Sequence, residues 1–159
     1  MKRLLIVYHT QGGHTGAMAE AVLRGARRAT ETETVMRRAG ETTLEDLLAC
    51  QGLLIGTPEN FGTMAGMVKD FFDRTYYPAE GKTVGLPYAL FVSAGNDGTG
   101  AVTQIDRIAS DLRLSREEAA VAIIEIATEN MVQAIADITI NQGIDPGKSA
   151  LVGGGGAAG

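Results

Sequence analysis

The sequence predicts an α/β protein built on a parallel sheet, and three observations predict it. Short apolar runs, "RLLIVYH" (3–9), "GLLIGT" (52–57) and "PYALFVSA" (87–94), alternate with segments whose apolar residues recur every three or four positions. The runs are continuously apolar, as strands buried on both faces must be. Polar, glycine-rich loops follow all three, "HTQGGHT" (9–15), "TPENFG" (57–62) and "SAGNDGTG" (93–100). In open parallel sheets ligands bind beyond the carboxyl ends of the strands, where these loops fall.

The elements follow in order. After the first strand, Met18, Val22 and Ala26 stand four apart within 15–28, with Glu20, Arg24, Arg27 and Arg28 elsewhere, which makes an amphipathic helix. "ETVMRRA" (33–39) is a weaker strand, placed near an edge because charges crowd its end. A short helix at 43–49 leads into "GLLIGT". The third helix runs from about Met64 to Tyr76, with Met64, Met67, Val68, Phe71 and Phe72 on one side and Pro78 beyond its end. After "PYALFVSA", Val102, Ile105, Ile108 and Leu112 mark a fourth helix. Strands alternating with helices imply right-handed crossovers between parallel neighbours.

The totals bound the function. A chain of 159 residues and 16.7 kDa is expected to form one domain, 1–159, large enough for a sheet covered on both faces. A net charge of -5 argues against a non-specific nucleic-acid binder, which needs a basic face. The single cysteine, Cys50, rules out an internal disulfide and reads as a small buried hydrophobe; no metal site is expected. No apolar run approaches the roughly 20 residues that span a membrane, and the chain starts directly in a strand, so a cytoplasmic protein is expected.

The first loop carries the clearest chemistry. "TQGGHT" (10–15) sets hydroxyls at Thr10 and Thr15 around Gly12 and Gly13, just before a helix. Glycines let the backbone close on a ligand, and the helix start adds partial positive charge, so a phosphate fits here. The loop has neither the G-K-[ST] ending of triphosphate loops nor a spaced G-x-G-x-x-G. The plainer reading is that Gly12 and Gly13 only make a tight turn. His14 reads as a positional residue at a helix start, and His9 has no assigned role.

"[ST]-x-x-G-x-T" at 10–15 resembles the FMN-phosphate loop of flavodoxin-like proteins. "GTPENFGTMAGMVKDFFDRT" (56–75) is similar to a stretch of the flavodoxin-like NAD(P)H-dependent oxidoreductases related to quinone reductases, and "FVSAGNDGTG" falls where that family has its third flavin loop. The resemblance covers residues 1 to about 108. It implies a flavodoxin-like three-layer sandwich whose five-stranded parallel sheet has the order 2-1-3-4-5. It also implies that Thr10, Gln11, Gly12, Gly13, His14 and Thr15 bind the FMN phosphate. Thr57, Pro58, Glu59, Asn60, Phe61 and Gly62 would line the isoalloxazine, although Phe61 also reads as ordinary core. Ser93, Ala94, Gly95, Asn96, Asp97 and Gly98 would meet the pyrimidine edge. Tyr76 and Tyr77 either cap the pocket of a neighbouring subunit or end a helix. NAD(P)H would be the co-substrate and a quinone-like molecule the acceptor. The cofactor does the chemistry, so no catalytic residue is named.

The last quarter departs from that pattern. "SREE" (115–118) reads as a capping box, with Ser115 as N-cap and Glu118 at N3. A long apolar helix to Asn141 follows, stopped by Gly143 and Pro146, and then a non-standard last strand, Ala150–Val152, before a glycine tail. This segment, about 115–159, resembles an internal piece of the hydantoinase/oxoprolinase/acetone-carboxylase family. The chain therefore reads as a chimera with its seam between Ile105 and Ser115. Residues 150–152 are expected beside "PYALFVSA" as the fifth strand, and an apolar patch left beside the first helix would favour a homo-oligomer. Three functions compete: an FMN-dependent oxidoreductase, a recombined chain that binds FMN with little activity, and a one-electron carrier. The absence of tryptophan and the modest acidity weigh against the carrier.

Overall fold

The computed structural model describes residues 1–116. β1 (Lys2–Tyr8), β2 (Thr32–Arg38), β3 (Gly52–Asn60) and β5 (Tyr88–Ser93) form a parallel sheet in the order β2-β1-β3-β5. Taken as the four predicted strands, this is the order 2-1-3-4 of a flavodoxin-like sheet, with β2 at the edge its charges suggested. β4 (Thr63–Met64) is a two-residue antiparallel addition, pairing Asn60 with Thr63 and Glu59 with Met64. β3 therefore continues through part of the predicted loop, because the chain turns back on itself after Asn60.

The helices are α1 (His14–Ala26), α2 (Leu44–Ala49), α3 (Gly66–Ala79) and α4 (Thr99–Asp111). α2 begins at the capping box of Thr43, whose side chain accepts the Asp46 N–H while the Asp46 carboxylate accepts the Thr43 N–H. α3 differs from the prediction: Pro78 lies inside its last turn, where a proline forfeits a single intrahelical bond, and Glu80 N–H closes the end on the Tyr77 carbonyl.

Alternation along the strands sorts the core. Leu5, Val7, Leu53, Ile55 and Tyr88 face α2, α3 and α4, where they meet Leu47, Val68, Phe71, Phe72 and Ile105. Ile6 and Phe91 face the other way, onto Ala19 and Leu23 of α1. This makes the three layers the resemblance implies.

At the outer edge of β5 the chain does something the sequence reading did not foresee. Gly85 donates to the Arg113 carbonyl at 2.8 Å, Ser115 to the Leu86 carbonyl at 3.0 Å, and Tyr88 to the Ser115 carbonyl at 2.9 Å. Ser115, expected as a helix N-cap, bridges Pro87 in parallel. The Tyr88 hydroxyl donates to Asp106 at 3.0 Å, and Arg116 pairs with the same carboxylate. Leu112 is buried and Leu114 packs on the core. The stretch read as the seam, 105–115, is thus integral to the sheet and its covering helix. The long helix to Asn141, the strand at 150–152 and the glycine tail lie outside the described residues.

Candidate functional site

A cleft of about 640 Å³ opens at the carboxyl ends of β1, β3 and β5. Thr10, Gln11 and Gly12 line it from the first loop, His14 and Thr15 from the start of α1, Pro58 and Asn60 from β3, Val92 and Ser93 from β5, and Ala94 and Gly95 from the loop after it. Three sequence-predicted segments meet there; Val92 was not among the predicted residues.

The first loop is set by Gly13, which has φ 91° as the N-cap of α1 and offers no side-chain cap. A left-handed residue at this point is what lets the loop turn into the helix without a steric penalty. Thr10 Oγ1 accepts the Gly13 N–H at 3.1 Å. Thr15 is buried, and its hydroxyl shares a 2.6 Å hydrogen bond with that of Ser93. That bond ties the start of α1 to the end of β5, so the two loops face each other across the cleft. With no acidic residue in its first turn, α1 directs its positive end at the cleft.

A cation also stands near this loop, and sequence reading missed it. Arg38 stacks on the Tyr8 ring, 5.0 Å from its centroid, and its Nη1 donates to the Thr10 carbonyl at 3.3 Å. In the sequence its charge marks only an edge strand. The pairing of Tyr8 with Arg38 in the β1–β2 register is the signal that brings it to the loop. Partial burial and the Arg38 charge hold the neighbouring His9 imidazole below its usual range.

The second segment divides its labour. Thr57 is fully buried; its hydroxyl donates to the Pro58 carbonyl at 2.9 Å and accepts the Ala65 N–H at 2.9 Å, joining β3 to the start of α3. Asn60 Nδ2 reaches Gln11 Oε1 at 3.4 Å. Glu59 points to α4, where its carboxylate accepts backbone N–H groups. Phe61 and Gly62 are the central residues of the β3–β4 hairpin, with φ 55° and 72°. Both values are positive, as in the primed turns that suit hairpins. Phenylalanine is a costly residue there, by about 1–2 kcal/mol, and its ring is wholly exposed (relative exposure 105%). Phe61 is therefore not core. In the third segment Asp97 accepts the Thr99 N–H at 2.9 Å, which holds its carboxyl below the usual range. Among the described residues no cluster of metal-ligating side chains occurs.

A family model for NADPH-dependent FMN reductase matches residues 1–115. The chain belongs to that family. A second model, hydantoinase/oxoprolinase, matches residues 95–159 and so overlaps the first across α4. A flavodoxin of Aquifex aeolicus (strain VF5) is 37% identical over 100 residues, 63% of this chain and 54% of that protein. An NAD(P)H dehydrogenase (quinone) of Acidithiobacillus ferrooxidans (strain ATCC 53993 / BNL-5-31) is 34% identical over 126 residues, 66% of this chain and 63% of that protein. The chain thus spans between 54% and 63% of the length of these two relatives. Among solved structures, a flavodoxin from the domain Archaea superposes with a TM-score of 0.64 at 22% identity, over 73% of this chain and 78% of that one. The flavodoxin, WrbA-like protein from Agrobacterium tumefaciens gives 0.58 at 22% identity, over 80% and 90%. These likenesses show the flavodoxin-like fold.

The cofactor this family implies is FMN, and the residues present fit it. The glycine-rich turn, the uncapped positive end of α1 and the nearby Arg38 suit a phosphate, and the cleft's volume is within the usual span of small-molecule sites. No helix among the described residues is long and apolar enough to cross a membrane.

Proposed function

We propose that this chain binds FMN in the cleft and passes a hydride equivalent from NAD(P)H to a quinone-like acceptor. The observation that carries the reading is the convergence of the 10–15, 57–62 and 93–98 segments on one cleft beside the start of α1. Bound FMN would supply the hydride-accepting and electron-donating chemistry. The protein binds and orients: the 10–15 loop holds the phosphate through backbone N–H groups and the Thr10 hydroxyl. Pro58, Asn60 and the hairpin border the ring, and the 93–98 loop offers backbone donors to its polar edge. No side chain is required to move a proton.

Absorbance spectra and titration test it. The protein should bind FMN with a flavin spectrum and bind riboflavin far more weakly. Gly13→Val should abolish FMN binding, because a β-branched residue is strained at φ 91° and the loop must rearrange. Equal affinity for riboflavin and FMN would mean that the loop is not a phosphate site.

A second reading is favoured by the Aquifex flavodoxin: a one-electron carrier. Stopped-flow mixing with NADPH separates the two, since rapid bleaching of the flavin band supports the reductase and no bleaching supports the carrier. The overlap of two family models at 95–115 favours a recombined chain in which the flavin site is inherited. A flavin-loaded protein that consumes no NADPH with a quinone would support that origin over an active reductase.

A further inference from the structure

Two of the segments that border the cleft are joined by one carboxylate. Glu59 is the penultimate residue of β3, and its Oε1 accepts the backbone N–H of Gly100 at 3.0 Å and of Ala101 at 3.3 Å. These are the second and third residues of α4, whose N-cap, Gly98, has no side chain to offer. Asp97 takes the N–H of the first, Thr99, at 2.9 Å. The opening N–H groups of α4 are therefore met by two carboxylates, one local and one from 41 residues upstream. A negative charge at this end of the helix is favourable in its own right.

The contact is also close-packed. A Cβ on Gly100 would lie 2.0 Å from the carbonyl oxygen of Gly62, so the hairpin rests directly on the first turn of α4. Glu59 and Gly62 thus approach the same turn from one hairpin, the first by hydrogen bonding and the second by contact.

We propose that Glu59 is a positioning residue that couples the hairpin segment 57–62 to the 93–98 loop, so that both take up their flavin-binding geometry as one unit. The consequence for binding rests on the FMN reading above; the coupling itself is a property of the protein and holds without a ligand. The carboxylate acts through α4 and the hairpin backbone, not by touching the flavin. Substitution therefore loosens both segments at once, whereas the loss of a simple cap frays only the helix start.

The full-length protein tests this in two states. In the FMN-free protein, amide exchange followed by NMR should accelerate in Glu59→Ala at Gly100 and Ala101, and by about tenfold at 61–63 and 94–98 as well. In titration, Glu59→Ala should bind FMN about tenfold more weakly, equivalent to about 1.4 kcal/mol. Glu59→Gln keeps an acceptor oxygen and should stay within about threefold of the wild type in both measurements. Gly100→Ala, which forces Gly62 away, should reproduce the accelerated exchange should Glu59→Ala not fold. Faster exchange confined to the first turn of α4, with FMN affinity unchanged, would overturn the proposal. A wild-type protein that does not bind FMN would reject the functional reading, and the exchange comparison would still decide the coupling.

Discussion

Against α2, α3 and α4 the sheet and its helices bury eighteen apolar residues in one cluster, whereas against α1 they bury four, Ile6, Ala19, Leu23 and Phe91, among the described residues. The difference begins with what each helix presents. α3 brings Val68, Phe71 and Phe72 to the sheet, while the buried residues of α1 are Thr15, Ala19 and Leu23. At its start α1 also reaches the end of β5, where Thr15 bonds Ser93. Among the described residues the larger cluster accordingly carries most of the apolar burial, and the smaller one lies beside the helix that follows the 10–15 loop.

The sharpest way to break this comparison is to truncate one phenylalanine on each face. Phe71 is fully buried, and Phe71→Ala should cost about 3–5 kcal/mol in urea unfolding. Phe91→Ala, in the smaller cluster, should cost less, about 3 kcal/mol at the lower end of that range, because fewer buried neighbours are left facing a cavity. Equal losses would mean that the two faces share the burden.

A smaller effect is expected where the large face meets the sheet edge. The Tyr88 hydroxyl donates to Asp106, and burial followed by that bond and the Asp106 charge pushes its pKa up to about 12. Tyr88→Phe removes the bond and should lower stability by about 1 kcal/mol, with faster amide exchange at Ser115 as the local signature. Unchanged exchange at Ser115 would show that backbone pairing alone holds 113–115 on the edge.

At the functional end the sign reverses. Phe61→Gly should raise stability by about 1 kcal/mol, because the exposed ring loses no burial and glycine accepts φ 55° freely. Denaturant titration checks it, and a loss of stability would mean that the ring is covered in solution.

The smallest effect is electrostatic. Burial first, and the Arg38 charge second, depress the His9 pKa in the folded state. The unfolded chain then binds the proton more readily, so this contribution is complete above the ordinary histidine value of about 6.5 and is lost as pH falls through the folded pKa. Arg38→Gln should move the His9 titration upward in an NMR pH series and flatten that loss. No movement would place Arg38 too far from His9 to matter.

Much of the architecture was legible because it rests on local pattern. Continuous apolar runs located β1, β3 and β5, the four-residue spacing of Met18 and Val22 located α1, and charges at Arg37 and Arg38 marked β2 as an edge. Loops rich in glycine and hydroxyls pointed to the segments that line the cleft. What differed was at a boundary: Pro78, read as lying beyond the third helix, sits inside α3, next to its last residue.

The sequence by itself determined the alternation of strands and helices, the flavodoxin-like order of the first four predicted strands, and the three segments that meet at one end of the sheet. The alternation follows from spacing along the chain, which sets which face a residue occupies before any partner is chosen; the strand order is what the resemblance of the three loops to flavodoxin-like proteins implies. Only the tertiary structure decided what individual side chains do there. Register brought Arg38 to Tyr8 and Thr10, the hairpin after Asn60 aimed Glu59 at α4 and left Phe61 exposed, and the depth of α1 turned Thr15 toward Ser93. Those contacts join residues 28 to 78 positions apart, so their distances depend on how layers pack, and packing is not written in any local stretch.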